Sequence, residues 1–325
     1  MNGRLEKELE MNRKMKTRLE TLPVVFTEFY YSLEGEGKSY TTLKNYIDHN
    51  VDFMNYITNG EHADDFYLHV RPADVNKYMA AIRHKEVGGK VIRTGDDIRA
   101  ARWTSLRTFF EFLKGDYINE NPLDKTKRPK IKTEHRVTYL SEAEINLVLE
   151  NIKVNSTDQK RSRDLCIISL ALSTGLRVSA ITQINIEDID LQHNTIKVVE
   201  KGNKTRTISF GNNLKTLIAQ CMHDRDICFP NSKTNALFVS QWKRRMTTQA
   251  VRDLVVKYTD VITDKHITPH KLRASAATNL AKSGVSIQAI AKTLGHENIQ
   301  TTKRYVEVLA EETAAATNIL DNLII

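Results

Sequence analysis

The chain has little of what marks a secreted, zinc-bound or membrane-spanning protein. It has three cysteines, Cys166, Cys221 and Cys228, and they form no C-x-x-C pair. A disulfide framework and a structural zinc site are therefore not expected, and a reducing compartment fits best. No stretch is apolar enough to span a bilayer, and residues 1–22 are crowded with charges, unlike a signal peptide. We expect a protein of the cytoplasm with no membrane partner.

Proline and glycine are also scarce, with 6 and 13 residues, so low-complexity linkers are not expected. Hydrophobic residues make up 40% of the chain and charged residues 27%, the balance of folded globular domains. At roughly 150 residues per domain, 325 residues predict about two domains. The formal net charge of +8 favours a polyanionic partner, either nucleic acid or an anionic membrane. Composition alone does not choose between them.

Helical periodicity dominates the first third of the chain. A leading amphipathic helix is predicted to end at Pro23, and a second helix to begin after the N-cap candidate Ser39. A third helix is predicted after Pro72 and a fourth from Asp96. Between these two, the glycine-rich residues 88–95 predict a loop.

The predicted fourth helix has an apolar face and a basic face. Arg99 and Arg102 are assigned to the outside, where they are candidate nucleic-acid contacts, although such charges more often form a solvated face. The apolar side chains assigned to the core are Ile98, Ala101, Leu106, Phe109, Phe110 and Leu113.

The chain changes character between residues 121 and 136. Prolines oppose a helix there, and basic side chains crowd together, among them Lys127, Arg128 and Lys130. We interpret residues 119–138 as an interdomain linker. Its charges either keep the linker soluble or follow a phosphate backbone, and in the second case these three residues are the candidate contacts.

A second domain opens at Ser141, where Ser141-Glu142-Ala143-Glu144 has the form of a capping box. A helix is predicted to end at Gly175, and another to begin almost at once with Arg177. The β-prone runs 195–199 and 205–210 predict a hairpin, with Lys201 where the first strand meets the turn.

Three further helices are predicted before the C-terminus. Pro269 opens one of them and places His270 and Arg273 on one face, three residues apart. Ser286 caps a shorter helix that Gly295 closes, immediately before His296. The last helix carries Tyr305.

Taken singly, these residues are more often structural than catalytic, but the ordered set is informative. It resembles the active-site signature of the tyrosine recombinase or phage integrase family, of the Xer-like or mobile-element kind. The matching elements are Thr174-Gly175-Leu176-Arg177, Lys201 in a turn, His270-Lys271-Leu272-Arg273, Leu294-Gly295-His296 and Tyr305. The resemblance extends over most of the chain.

The resemblance implies a mainly α fold with a small β component. A helical core-binding (SAM-like) DNA-binding domain is expected at residues 23–118, and a mixed α/β catalytic domain at residues 139–310. Residues 1–22 form an N-terminal extension and residues 311–325 a C-terminal tail in this scheme.

The implied function is site-specific recombination, in DNA integration or excision, through a 3′-phosphotyrosyl intermediate. Tyr305 is the implied nucleophile, and His270 assists the loss of its proton. Arg177 and Arg273 are the implied clamp on the nonbridging oxygens, where negative charge accumulates during attack.

The remaining roles concern the phosphate and the leaving group. By resemblance, Lys201 protonates the 5′ oxygen and His296 hydrogen-bonds the phosphate, so no metal, ATP or redox cofactor is required. Two positions depart from the pattern: Ala180 stands where many relatives carry an acidic residue, and Ala274 where a histidine often follows the second arginine. We expect these departures to affect the reaction rate more than the reaction type.

The implied partner is double-stranded DNA, held by a homotetramer on paired sites, with accessory DNA-bending proteins. Two alternatives stay open: a type IB-like topoisomerase, which relaxes DNA without exchanging partners, and a catalytically inactive DNA-binding protein of the same fold. The complete residue set argues against the second. The apolar stripe at the C-terminus either folds back on its own domain or docks on a neighbouring subunit; its residues are Ile319, Leu320, Leu323, Ile324 and Ile325.

Overall fold

The computed structural model of the protein describes residues 3–61, 63–131, 137–200, 204–230, 232–296 and 298–307, with side chains from residue 10 onward. The chain divides into two compact units, Met1–Glu134 and His135–Ile325. No helix in the described parts is long and apolar enough to cross a membrane. Lys201 and the predicted C-terminal tail lie outside the described residues.

The first unit is built from helices, and the predicted helix starts at Ser39, Pro72 and Asp96 are confirmed. The Ser39 hydroxyl accepts a bond from the backbone N–H of Thr42, as expected of an N-cap. The helices are α1 (Gly3–Leu19), α2 (Val24–Gly35), α3 (Tyr40–Thr58), α4 (Pro72–Ala81) and α5 (Asp96–Leu113), with short 3-10 turns at Phe66–His69 and Pro122–Lys125.

Helix α2 was not predicted, although it supplies much of the core of the first unit. Its sequence is rich in β-branched and aromatic residues, which have only moderate helix propensity. Phe26 and Phe29 are nonetheless fully buried, and their rings lie 5.3 Å and 5.1 Å from the ring of Phe109 in α5. Aromatic packing across the unit therefore favours the helix.

The prediction of a loop around residues 88–95 was wrong, because the chain forms a β-hairpin there. Strand β1 (His84–Val87) pairs antiparallel with β2 (Lys90–Arg93), and every side chain of the two strands is exposed. Gly88 and Gly89 have φ of 56° and 74°, the left-handed conformation that a tight two-residue hairpin turn requires.

The predicted core face of α5 was partly wrong. Ile98 is 43% exposed and Ala101 is exposed, whereas Ala100 and Trp103 are buried. The four residues from Leu106 to Leu113 that were assigned to the core are all fully buried. The apolar stripe thus begins at Ala100, one turn after the start of the helix.

The described part of the second unit combines helices with a small sheet, so the mainly α fold with a small β component is confirmed. The helices are α6 (Glu142–Asn155), α7 (Asp158–Thr174), α8 (Val178–Gln183), α9 (Asn212–Cys228), α10 (Thr248–Thr259), α11 (Pro269–Lys282), α12 (Ile287–Leu294) and α13, which covers residues 300–307. The strands are β3 (Ile189–Asp190), β4 (Thr195–Val199) and β5 (Thr205–Ser209), in the antiparallel order β3-β4-β5.

Helix α7 lies at the centre of the second unit. Ile167, Ile168 and Leu170 are fully buried, and α7 packs against both α9 and α11. The predicted capping box at Ser141 is confirmed, because Ser141 and Glu144 bond each other's backbone N–H groups. These local signals set where the helices begin and end, and so where the helix-terminal side chains lie.

Candidate active site

Arg273 is buried where two helices end. Only 4% of the residue is exposed, and two backbone carbonyls accept from its guanidinium: Nη1 donates to Gly175 O at 2.6 Å and Nη2 to Leu294 O at 2.7 Å. These carbonyls lie at the C-terminal ends of α7 and α12, where the helix dipoles favour a cation. Burial, followed by the nearby charge of Arg177, lowers the pKa of Arg273 to about 10, which leaves it protonated at neutral pH.

Gly175 makes this meeting of helix ends possible. It caps α7 with φ of 60°, a conformation that side chains disfavour. A Cβ atom at this position would lie 2.3 Å from Cδ2 of Leu294. Glycine therefore suits this turn, and a larger residue would have to displace the buried side chain of Leu294.

Arg177 is the N-cap residue of α8 and has a carboxylate partner. Its Nη1 donates to Oε1 of Glu200 at 3.3 Å, and about a third of its side chain (34%) is exposed. Its charge lowers the pKa values of Arg273, His270 and His296. The two guanidiniums and the two imidazoles therefore share one positive region.

Glu200 and Arg206 join this site, and sequence reasoning missed both. The Glu200 carboxylate, 11% exposed, lies 3.3–3.4 Å from nitrogens of Arg206 as well as from Arg177. Arg206 also donates to the carbonyls of Lys292 and Thr293, in the last turn of α12. A glutamate directly before a basic turn is the one sequence signal that could have drawn attention to Glu200.

His296 is held in a neutral form beside the arginines. Partial burial, followed by the charges of Arg273 and Arg177, lowers its pKa to about 4. Its Nδ1 lies 2.7 Å from the hydroxyl of Thr302, a fully buried residue. A Thr302 hydroxyl that donates to Nδ1 leaves the proton on Nε2, which can then donate to a phosphate oxygen.

His270 is the second residue of α11 and is exposed. Its pKa is also lowered, first by partial burial and then by the charges of Arg273, Arg252 and Arg177. A neutral imidazole at pH 7 can accept a proton, which is what a general base requires.

Tyr305 lies on α13 and is 6% exposed. It packs with Ala274, Ala277, Ile290 and Leu294. Its ring is stacked against that of His296, with centroids 6.5 Å apart and an interplanar angle of 21°. Tyr305 also raises the pKa of Arg273, so the phenol and the guanidinium are close enough to interact.

The structure thus brings together five of the six residues predicted from the sequence, in the order Arg177, His270, Arg273, His296 and Tyr305. The sixth, Lys201, lies outside the described residues, but its neighbour Glu200 is bonded to Arg177. Within the described ranges, no group of three or more His, Cys, Asp or Glu side chains could hold a metal ion.

Residues 138–312 match the model of the phage integrase family, which covers more than half of the chain. The tyrosine recombinase XerC of Staphylococcus carnosus (strain TM300) is 32% identical over 288 residues, covering 86% of this chain and 91% of the relative. The chain belongs to the phage integrase family. It is a tyrosine recombinase, an enzyme that cleaves and rejoins DNA strands, and the resemblance noted in the sequence is confirmed.

Solved structures of other recombinases share the fold. The XerH site-specific recombinase, in a post-cleavage complex with palindromic difH substrate, matches with a TM-score of 0.68 and 19% identity over 87% of this chain and 81% of that one. A lambda integrase dimer bound to a COC' core site matches with a TM-score of 0.64 and 16% identity over 88% and 95%. At such identities the likeness shows the fold alone.

Arg99 and Arg102 were predicted to point outward, but most of each side chain is buried. Arg99, 17% exposed, donates to Asp96 and to the carbonyl of Met79, both at 3.2 Å. Arg102, 24% exposed, donates to a carboxylate of the first unit and to the Tyr78 hydroxyl at 2.7 Å. Both arginines hold helices of the recombinase together, and their contact with DNA stays a prediction.

The basic segment after α5 has a packed part and an exposed part. Leu123 is fully buried, and Trp103 of α5 donates from its indole N–H to the Thr126 hydroxyl at 3.0 Å. Lys127, Arg128 and Lys130 follow and are exposed. These three side chains of the recombinase can therefore reach a phosphate backbone without breaking a core contact.

Proposed function

We propose that Tyr305 attacks the scissile phosphate and forms a 3′-phosphotyrosyl link, and that Arg177 and Arg273 stabilise the charge that develops. The observation that supports this most is the location of Tyr305, stacked on His296 and within the electrostatic reach of a buried, carbonyl-bound Arg273. The proposal assigns to the described residues the roles that the family resemblance implied.

The charge chemistry follows from the guanidiniums. As the phenol attacks phosphorus, negative charge accumulates on the two nonbridging oxygens, and fixed donors near them lower the barrier. Arg273 is oriented before DNA arrives, because two of its N–H groups already bond helix-end carbonyls. An arginine carries five N–H donors, so others are left for the phosphate.

Proton transfer is assigned to three side chains. A phenol is protonated in water at neutral pH and needs a base before it can attack, and neutral His270 takes the proton. His296 donates from Nε2 to a nonbridging oxygen. Lys201, placed by resemblance in the turn after Glu200, protonates the departing 5′ oxygen. The phosphotyrosyl bond then keeps the energy needed for rejoining.

We propose that the partner is double-stranded DNA, with residues 23–118 and 139–310 as the core-binding and catalytic domains. The XerH and lambda integrase structures, which share the fold, are complexes with DNA, and the lambda complex is a dimer. By family resemblance, a homotetramer on paired sites, accessory DNA-bending proteins and a cytoplasmic location belong to the same proposal. DNA contacts from Arg99, Arg102, Lys127, Arg128 and Lys130 are part of it.

The experiment that tests the proposal traps the covalent intermediate. Randomly nicked genomic DNA from the source organism is incubated with the protein, and the DNA attached to the protein is recovered and sequenced. The recovered site is then synthesised as a nicked suicide duplex. We expect wild type to form a slowly migrating adduct on a denaturing gel and Tyr305→Phe to form none.

Each other outcome has a definite meaning. An adduct formed by Tyr305→Phe contradicts the assignment of the nucleophile, and no adduct with wild type indicates an inactive DNA-binding protein. Exchange between two linear duplexes carrying the site distinguishes a recombinase from a type IB-like topoisomerase, which relaxes supercoils without exchanging partners.

Deleting residues 317–325, which lie outside the described residues, tests the proposed role of the C-terminal tail. Weaker assembly on paired sites, with binding to a single site retained, supports an intersubunit contact.

A further inference from the structure

One carboxylate connects two guanidiniums at the edge of the site. Oε1 of Glu200 accepts from Nη1 of Arg177 at 3.3 Å and from Nη2 of Arg206 at 3.4 Å, and Oε2 lies 3.3 Å from Nε of Arg206. Only 11% of the Glu200 side chain is exposed. A carboxylate this well covered and paired on both oxygens has a defined position.

Arg206 fixes that position against α12. Arg206 lies on β5, and its side chain donates to the carbonyls of Lys292 and Thr293 at 3.2 Å and 2.9 Å, just before Gly295. A Cβ at Gly295 would lie 2.4 Å from Oε2 of Glu200 and 3.2 Å from Cζ of Arg206. The carboxylate therefore packs directly on the backbone turn that leads to His296.

Arg177 needs such a partner. It is the N-cap of α8, and the positive end of a helix disfavours a cation. A carboxylate three residues later would lie on the same helix face and offset this. That position is Ala180, which is buried and uncharged. The strand end supplies the carboxylate that the helix lacks.

We propose that Glu200 is a positioning residue that orients Arg177 toward the scissile phosphate in place of an acidic residue on α8. This inference rests on the proposed catalytic role of Arg177. Glu200 itself does not touch the reacting atoms. It restricts the Arg177 side chain, which is one-third exposed, to the positive region that it shares with Arg273, and it lowers the cost of holding two guanidiniums close together.

The first test measures single-turnover cleavage of the nicked suicide duplex by Glu200→Gln. The change keeps shape and one acceptor oxygen but removes the charge. We expect the cleavage rate to fall about tenfold or more, as expected when a charge-assisted bond is weakened, with the Kd for DNA within about twofold of wild type. Glu142→Gln, an exposed carboxylate on α6, is the matched control and keeps the wild-type rate.

Two modified duplexes distinguish a role through Arg177 from a role through Lys201, the next residue. A methylphosphonate at the scissile position removes the charge that Arg177 stabilises, so the loss caused by Glu200→Gln shrinks. A bridging 5′ sulfur leaves as a thiolate and needs no acid, so a defect in Lys201 would disappear. We expect the loss to persist on the sulfur duplex. The proposal is overturned if the rate loss caused by Glu200→Gln disappears on the sulfur duplex. It is also overturned if that loss is undiminished on the methylphosphonate duplex.

The last variant places the carboxylate back on the helix. Ala180→Glu in the Glu200→Gln background puts an acid three residues after Arg177, and we expect the rate to recover by about threefold or more. A double variant that melts like wild type but remains as slow as Glu200→Gln counts against the proposal. Cleavage of the same nicked duplex by wild type tests the proposed function separately. If wild type and Glu200→Gln cleave equally fast, only this inference fails.

Discussion

Arg273 donates to the carbonyl oxygen of Gly175 at 2.6 Å, although 98 positions separate the two residues in the chain. The bond joins α11 to the C-terminal end of α7, and a second bond to Leu294 joins it to α12. A guanidinium with a proposed role in catalysis therefore also holds three helices together. Its replacement affects both folding and chemistry.

Arg273→Ala and Arg177→Ala are expected to differ in stability but not in activity. Both lose about 100-fold or more in cleavage rate, because each removes a donor to the developing charge. Arg273→Ala also leaves two buried carbonyls without a donor and lowers the free energy of unfolding by roughly 1–3 kcal/mol. Arg177→Ala changes the free energy of unfolding less, because the Arg177 side chain is partly exposed. Urea unfolding and adduct formation measure the two effects, and equal unfolding midpoints would contradict the double role of Arg273.

The pKa of His296 predicts acid sensitivity of the free protein. Its pKa is about 4 in the folded state and about 6.5 in an unfolded chain. Between these values the unfolded chain binds the proton and the folded protein does not, so the free energy of unfolding falls as pH falls. The slope is at most about 1.4 kcal/mol per pH unit for one group. Urea unfolding between pH 6.5 and 4.5 measures it.

His296→Gln is the control for this pH dependence. The amide does not titrate, so the stability of the variant changes less over the same pH range. A remaining slope is expected from His270, whose pKa is also lowered, and from carboxylates. A variant whose stability falls as steeply as that of wild type would show that His296 is not the group responsible.

Cleavage is expected to continue at the wild-type rate in excess EDTA. In the proposed mechanism Arg177 and Arg273 stabilise the phosphate charge, which is the role a metal ion plays in other phosphoryl-transfer enzymes. The nicked suicide duplex is incubated with the protein and chelator, and the adduct is quantified over time. Loss of the adduct, with recovery on addition of magnesium, would contradict this prediction.

The exposed basic segment is expected to contribute to the salt dependence of DNA binding. Each phosphate contact lowers the slope of log affinity against log salt by about 0.9, so replacing Lys127, Arg128 and Lys130 by Ala flattens it by up to about 2.7. Equilibrium binding to the site duplex at several salt concentrations gives the slope. If the triple variant has the wild-type slope, these side chains do not contact DNA.

Much of the second unit could be predicted from the sequence because its signals are local. The caps at Ser141 and Ser286 bond backbone groups three residues away, and Gly175 and Gly295 adopt the left-handed conformations that end α7 and α12. Such interactions depend on neighbours in the chain, so the amino-acid sequence predicts them. Helix α2 was missed because its aromatic side chains are stabilised by partners such as Phe109, far along the chain.

The sequence by itself determined the helix ends around Arg177, His270 and His296 and the paired strands β4 and β5, because caps and turns depend on neighbours in the chain. The order of its motifs also identified the residues to which we assign a direct chemical role. Only the tertiary structure decided which charges are paired. It placed Arg99 and Arg102 against carboxylates of their own unit, and it brought Glu200 to Arg177 and Arg206 to the end of α12. Electrostatic pairing depends on distance in space, and these partners come from β4, β5, α8 and α12, which lie far apart along the chain.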